Sequence, residues 1–253
     1  MIKRLLPFLL LLFASPAIAA NFEILDGSAV VTRQWQKTQM VKKAKLYEGD
    51  RLQASPEVQI LGDFGFFFAV SRGELAFPVL RREGCGVRNV IVYSGFFSIT
   101  TRPRTCKTSE VKVISAKTGI SYTLQSGAKI NDVDGASAIA VSHGLVTAEN
   151  PLGRVDVPAG YGSINRPNQP PGQPIKLSLE LTQGRPERWG AGYILPVMTN
   201  PLNSIEVQGA KAFTNRFFLR LPKPGNSIQV TVRSKVDPNQ QRTYHLPRKE
   251  LRF

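Results

Sequence analysis

Residues 110–174 read EVKVISAKTGISYTLQSGAKINDVDGASAIAVSHGLVTAENPLGRVDVPAGYGSINRPNQPPGQP, and this stretch decides the fold class. Val111 and Val113 stand two apart, as do Ile120, Tyr122 and Leu124. Period-two spacing places such side chains on one face of a strand. Asn131-Asp132-Val133-Asp134-Gly135 is a turn signal, and Asn150-Pro151-Leu152-Gly153 is another. Between and after them, Ile139 with Val141, Leu145-Val146, and Val155 with Val157 form short apolar alternations, the last ended by Pro158-Ala159-Gly160. Five short strands in so little chain predict an antiparallel sandwich or a solenoid-like β-fold.

Upstream, Ala29 and Val31 alternate, and Trp35 stands among polar residues. Lys42, Lys43 and Lys45 predict an exposed basic turn. Val58 and Ile60 lead through a glycine turn into Phe66-Phe67-Phe68, whose rings fall on both faces of a strand, as in a core strand covered on both sides. Cys85 and Cys106 flank an apolar run, Val90 to Ile99, read as a strand pair or one strand bent at Gly95. In an oxidising compartment the two cysteines most simply form one structural disulfide, since the Cys-x-x-Cys spacing of redox catalysts is missing.

Downstream, residues 165–174 carry four prolines and predict a stiff linker. The remaining segment, 175–253, alternates again at 176–181, Ile205-Glu206-Val207, 217–221, 228–232 and Tyr244 with Leu246. The strand count predicts a small immunoglobulin-like sandwich.

Three motifs in the opening stretch, with one upstream, resemble the FecR family of periplasmic domains. They are Lys117-Thr118-Gly119-Ile120-Ser121-Tyr122-Thr123-Leu124, then Ala140-Val141-Ser142-His143-Gly144-Leu145-Val146, then Val157-Pro158-Ala159-Gly160-Tyr161-Gly162. Leu46-Tyr47-Glu48-Gly49-Asp50-Arg51-Leu52 matches the family's glycine-aspartate turn. Ile120 stands where threonine is usual and His143 where glutamate is usual. The resemblance spans residues 22–173 and implies an all-β domain. The family's better-known members relay signals from outer-membrane receptors to a cytoplasmic sigma-factor regulator, using a cytoplasmic segment and a membrane helix. This chain shows neither and is expected to act as a stand-alone extracytoplasmic module.

The expected organisation is therefore a signal peptide over 1–20, a FecR-like β-sandwich or solenoid-like domain over 21–164, the linker over 165–174, and the basic β-sandwich over 175–253. Lys3 and Arg4, the apolar run 5–13 and Ala17-Ile18-Ala19 carry the leader assignment, which predicts a periplasmic or secreted protein. No later apolar run approaches the ~20 residues that span a bilayer.

Charge is the second compositional fact. The full chain has 33 basic and 18 acidic residues, a net of +15, and the segment 175–253 alone has 13 against 5. Such a surface attracts polyanions. Arg216, Arg220, Lys223, Arg233, Lys235, Arg242, Arg248 and Lys249 are the candidate anion contacts, with anionic polysaccharide or lipid head groups as ligands. A secreted chain without a recognition motif argues against nucleic acid. The sequence also argues against an enzyme. Its two histidines, His143 and His245, are far apart, and Gly-x-Ser-x-Gly and His-Glu-x-x-His are both missing. Asp132 and Asp134 lack the spacing of a calcium loop. No metal or cofactor is expected. The leading expectation is an interaction module for an envelope protein, in signalling or envelope organisation, and the second is polyanion binding through the basic segment.

Overall fold

The computed structural model describes residues 22–62, 66–77, 88–101, 111–124, 127–133, 135–185, 187–189, 192–207, 210–212, 215–220, 228–237 and 239–246. The leader, Cys85, Cys106, Lys223, Arg248 and Lys249 lie outside the described residues. The described chain is all-β, as expected. In order, its strands are β1 (Phe22–Arg33), β2 (Gln36–Val41), β3 (Lys45–Leu46), β4 (Arg51–Gly62), β5 (Phe66–Ala76), β6 (Arg88–Thr101) and β7 (Val111–Ser115). There follow β8 (Ser121–Leu124), β9 (Gly127–Val133), β10 (Ala136–His143), β11 (Leu145–Asn150), β12 (Gly153–Pro158), β13 (Tyr161–Asn165) and β14 (Ile175–Lys176). The last eight are β15 (Thr182–Gln183), β16 (Glu187–Trp189), β17 (Gly192–Met198), β18 (Asn203–Val207), β19 (Ala210–Ala212), β20 (Arg216–Arg220), β21 (Ile228–Ser234) and β22 (Gln241–Leu246).

The first fourteen strands form one sheet, with the path β12-β11-β8-β7-β6-β5-β4-β1-β2. It forks at β6. Residues 88–92 of β6 pair in parallel with β7, and residues 95–99 pair antiparallel with β9. Gly95 sits at the fork with φ +106°, and a Cβ there would lie 2.3 Å from the Gly73 Cα. Glycine is required on both counts, so Gly95 bends one continuous strand. From β9 the second branch runs through β10 and β13 to β14. The branches face each other across one apolar core that includes Phe68, Phe97, Val113, Tyr122, Ile130, Ile139 and Val157. The buried Tyr122 hydroxyl on β8 donates to Ser137 on β10 at 2.7 Å and accepts from Asn165 on β13 at 2.9 Å, tying branch to branch.

Two local expectations change. Residues 131–133 are strand, part of β9, with Ala128, Ile130 and Asp132 buried in alternation. The polar pair Asn131-Asp132 mimics a turn, but the pattern of faces makes it strand. Residues 177–181 are not strand, despite clean alternation. Their carbonyls are taken by side chains instead. Asn203 donates to the Ser178 carbonyl at 2.6 Å, Thr199 to Glu180 at 2.8 Å and Tyr244 to Leu179 at 2.7 Å.

Beyond residue 181 there are two four-stranded antiparallel sheets, β15-β17-β16 with β20 added to β17, and β19-β18-β21-β22. Leu195, Val197 and Leu219 from the first pack with Ile205, Ile228, Val230 and Leu246 from the second. The result is a small sandwich. It meets the large sheet where Ala138, Ala140, Leu202 and Val236 form a separate apolar cluster. Lys129 pairs with Asp237 there, and Asn131 donates to the Lys235 carbonyl. Residues 165–174 are tied back to β13: Gly172 donates to the Asn165 side chain at 2.9 Å, and Ser163 donates to the Gly172 carbonyl at 2.8 Å.

Candidate interaction surface

The path of the large sheet ends at β2. Among the described residues, no strand pairs with the outer edge of β2. Its first four residues, Gln36 to Gln39, are all exposed. An edge of this kind offers a row of backbone donors and acceptors to an incoming strand. Antiparallel pairing with β1 runs from Ser28–Val41 to Arg33–Gln36. Only Gln34 and Trp35 remain to make the turn. Their φ angles are +47° and +69°, the geometry of a type I′ hairpin turn, in which asparagine and glycine are the usual residues. A glutamine and a tryptophan are strained there by about 1–2 kcal/mol each. Trp35 gains no burial in compensation, since it is 97% exposed. A large aromatic held in an unfavourable backbone state and projected into solvent is the most unusual feature of the described surface. Val41, at the far end of the same strand, is also exposed.

The hairpin is fastened beside its turn. The Arg33 guanidinium, next to the turn, donates to both carboxylate oxygens of Asp50, at 2.8 Å from Nε and 2.7 Å from Nη2. Asp50 is buried and also accepts from the Tyr47 backbone N–H at 2.9 Å, while the guanidinium lies 4.4 Å from the Tyr47 ring centroid. The hydrogen bond to Asp50 raises the Arg33 pKa. Gly49, at φ +90°, lets the chain turn so that Asp50 points inward. The Gly49-Asp50 turn therefore acts as a clamp on the outermost hairpin. Lys42 and Lys43 are exposed in the following turn, and Lys45 pairs with Glu23.

The predicted anion contacts are placed apart. Arg233 and Arg242 lie on opposite faces of one sheet, because Arg242 is opposite the buried Val232 in the β21–β22 register. Arg233 reaches Glu206 at 3.4 Å, and Arg242 lies 5.1 Å from the Tyr244 ring centroid. Lys235 donates to the Pro201 carbonyl at 3.0 Å, and burial lowers its pKa. Arg216 and Arg220 sit on β20, in the other sheet. There the period-two expectation holds for position: residues 216, 218 and 220 share a face, with Leu219 buried behind them. His143 and His245 are exposed, one in each half of the chain. Among the described residues, no group of three or more His, Cys, Asp or Glu side chains could hold a metal ion.

No protein-family model and no curated protein matches the chain. Among solved structures, two crystal structures of a candidate anti-sigma factor from Parabacteroides distasonis ATCC 8503 are similar to it. Each is 13% identical, with TM-scores of 0.40 and 0.39. Each match covers 50% of this chain and 57% of that one, so this chain spans little more than half the length of its structural neighbours.

Sequence reasoning missed Trp35 as a site residue and Asp50 as an anchor. Trp35 carried a usable signal, a lone aromatic inside the polar run Thr32-Arg33-Gln34-Trp35-Gln36-Lys37. The turn beneath it carried none, because neither turn residue is glycine, asparagine or aspartate.

Proposed function

We propose that the chain is a non-enzymatic, extracytoplasmic interaction module that binds an envelope protein by accepting a strand on the β2 edge, with Trp35 as the anchoring side chain. The observation that carries this reading is Trp35 itself, fully exposed on a strained turn at the end of an open sheet edge. Tryptophan is enriched among the few residues that dominate protein interfaces. Strand addition supplies affinity through the backbone, and a neighbouring aromatic supplies specificity. The FecR resemblance supports a role in envelope signalling or organisation, and the leader reading supports the compartment.

A photo-crosslinking residue at Thr38, in cells, tests this. One discrete adduct is expected, lost in Trp35→Ala. The same residue at Asp156, on the opposite edge strand β12, should give none. Equal labelling from both edges, or no adduct from Thr38, overturns the reading.

A further inference from the structure

A second exposed apolar feature lies far along the chain from the hairpin, on the outer face of the β17–β20 pair. The alternation of these strands buries Leu195, Val197 and Leu219 in the sandwich core. The intervening residues face outward. In the register, Pro196 is opposite Phe218 and Met198 is opposite Arg216. Directly paired residues share a face, and Met198 and Phe218 become diagonal neighbours about 7–8 Å apart. Phe218 is 62% exposed and Met198 39% exposed, with Ile194 and Pro196 half-buried beside them. Arg216 is exposed on the same face, and position 220 falls opposite Ile194. Glu187, an acid, is also opposite Ile194 on this face.

We propose that this face docks on an anionic lipid surface, with Phe218 and Met198 entering the boundary between head groups and acyl chains. Three observations favour that occupant. The patch spreads over two paired strands of an open sheet face, so it suits an extended surface better than a single inserted side chain. Arg216 is exposed on this face, and the segment 175–253 has 13 basic and 5 acidic residues spread over its faces, a net positive charge that draws it toward anionic head groups. A second copy of the chain is disfavoured, since each carries a formal charge of +15. An aromatic and a methionine bordered by arginine match the composition of surfaces that lie in the membrane interface. This contact is separate from the β2 edge, and neither depends on the other.

The test uses the protein purified after export and vesicles of phosphatidylcholine with and without phosphatidylglycerol. Co-sedimentation should require phosphatidylglycerol and weaken as salt is raised. Phe218→Ser should reduce vesicle affinity by at least about tenfold, the equivalent of losing part of one buried phenyl group. Met198→Ser should act in the same direction and serves as a second reading if Phe218→Ser does not fold. Trp35→Ala should leave vesicle binding unchanged. The proposal is overturned if phosphatidylglycerol vesicles fail to bind at low salt, or if both face variants bind like the parent. It is also overturned if Trp35→Ala abolishes binding, or if the face instead captures an acidic extended peptide while vesicles are ignored.

Discussion

Asp50, in the turn before β4, and Asp132, on β9, are both buried carboxylates, and they are treated in opposite ways. Asp50, beside the hairpin turn, receives two hydrogen bonds from Arg33 and one from the Tyr47 backbone. Asp132, on β9 at the fork, receives one from Ser115 at 2.8 Å, and its second oxygen has no partner. Burial then raises the Asp132 pKa to about 6, against smaller opposing effects from Ser115 and from the charge of Lys117. A buried acid thus stabilises only when its site supplies the cation and donors that water would have supplied. The hairpin has such a site, and the fork does not.

The largest expected effect comes from breaking the satisfied site. Asp50→Ala removes two hydrogen bonds from the part-exposed Arg33 and leaves the Tyr47 N–H unpaired, and should cost about 3 kcal/mol. Denaturant midpoints at fixed slope read this directly. A loss below ~1 kcal/mol would show that Asp50 and Asp132 are energetically alike.

The unsatisfied site should reveal itself through pH. The folded pKa of Asp132 is about 6, above the ordinary carboxylate value of 3.8. The folded state therefore binds this proton more tightly than the unfolded state. Its contribution is fully present below about pH 4 and is lost as pH rises through about 6, a change on the order of 3 kcal/mol. Asp132→Asn should flatten the stability profile between those limits. An unchanged profile would mean that other groups carry the slope.

Asp237, at the junction of the two halves, falls between these cases. It is buried, pairs with the half-buried Lys129 and accepts from the Asn239 N–H at 3.3 Å. Lys129→Met should cost about 1–2 kcal/mol, less than Asp50→Ala, because the backbone donor remains.

How much of this could be read from sequence follows the same division between local and long-range causes. The core faces at Val111 with Val113 and at Tyr122 with Leu124 are written in period two, and the structure buries all four. The turns at Gly135, Gly144 and Gly160 are likewise local, each with φ between +73° and +79°. Asp132 reads locally as a turn residue, whereas its place in a strand depends on β6 and β10, which pair with β9 from either side. Residues 177–181 alternated like a strand, yet the partners that decide their fate, Asn203, Thr199 and Tyr244, come from other segments. The Gly49-Asp50 turn was visible as a motif, while its role depends on Arg33, seventeen positions earlier.

The smallest expected effect concerns the hairpin turn itself, where strain takes the place of satisfaction. Asp50 secures Arg33 at the end of β1, but the next two residues, Gln34 and Trp35, make the turn at positive φ. Replacing them with asparagine and glycine supplies the residues that a type I′ turn prefers. Trp35 is 97% exposed, so its removal forfeits almost no buried area. Glycine gains conformational entropy in the unfolded chain, which offsets part of the relief. The net result for Gln34→Asn/Trp35→Gly should be a stabilisation of about 1 kcal/mol, read from the denaturant midpoint. The same variant should lose the Thr38 adduct. A more stable protein without its partner would mean that the turn is kept strained for Trp35. A less stable one would make Trp35 part of the fold, and the clamp and the turn would then serve the same end.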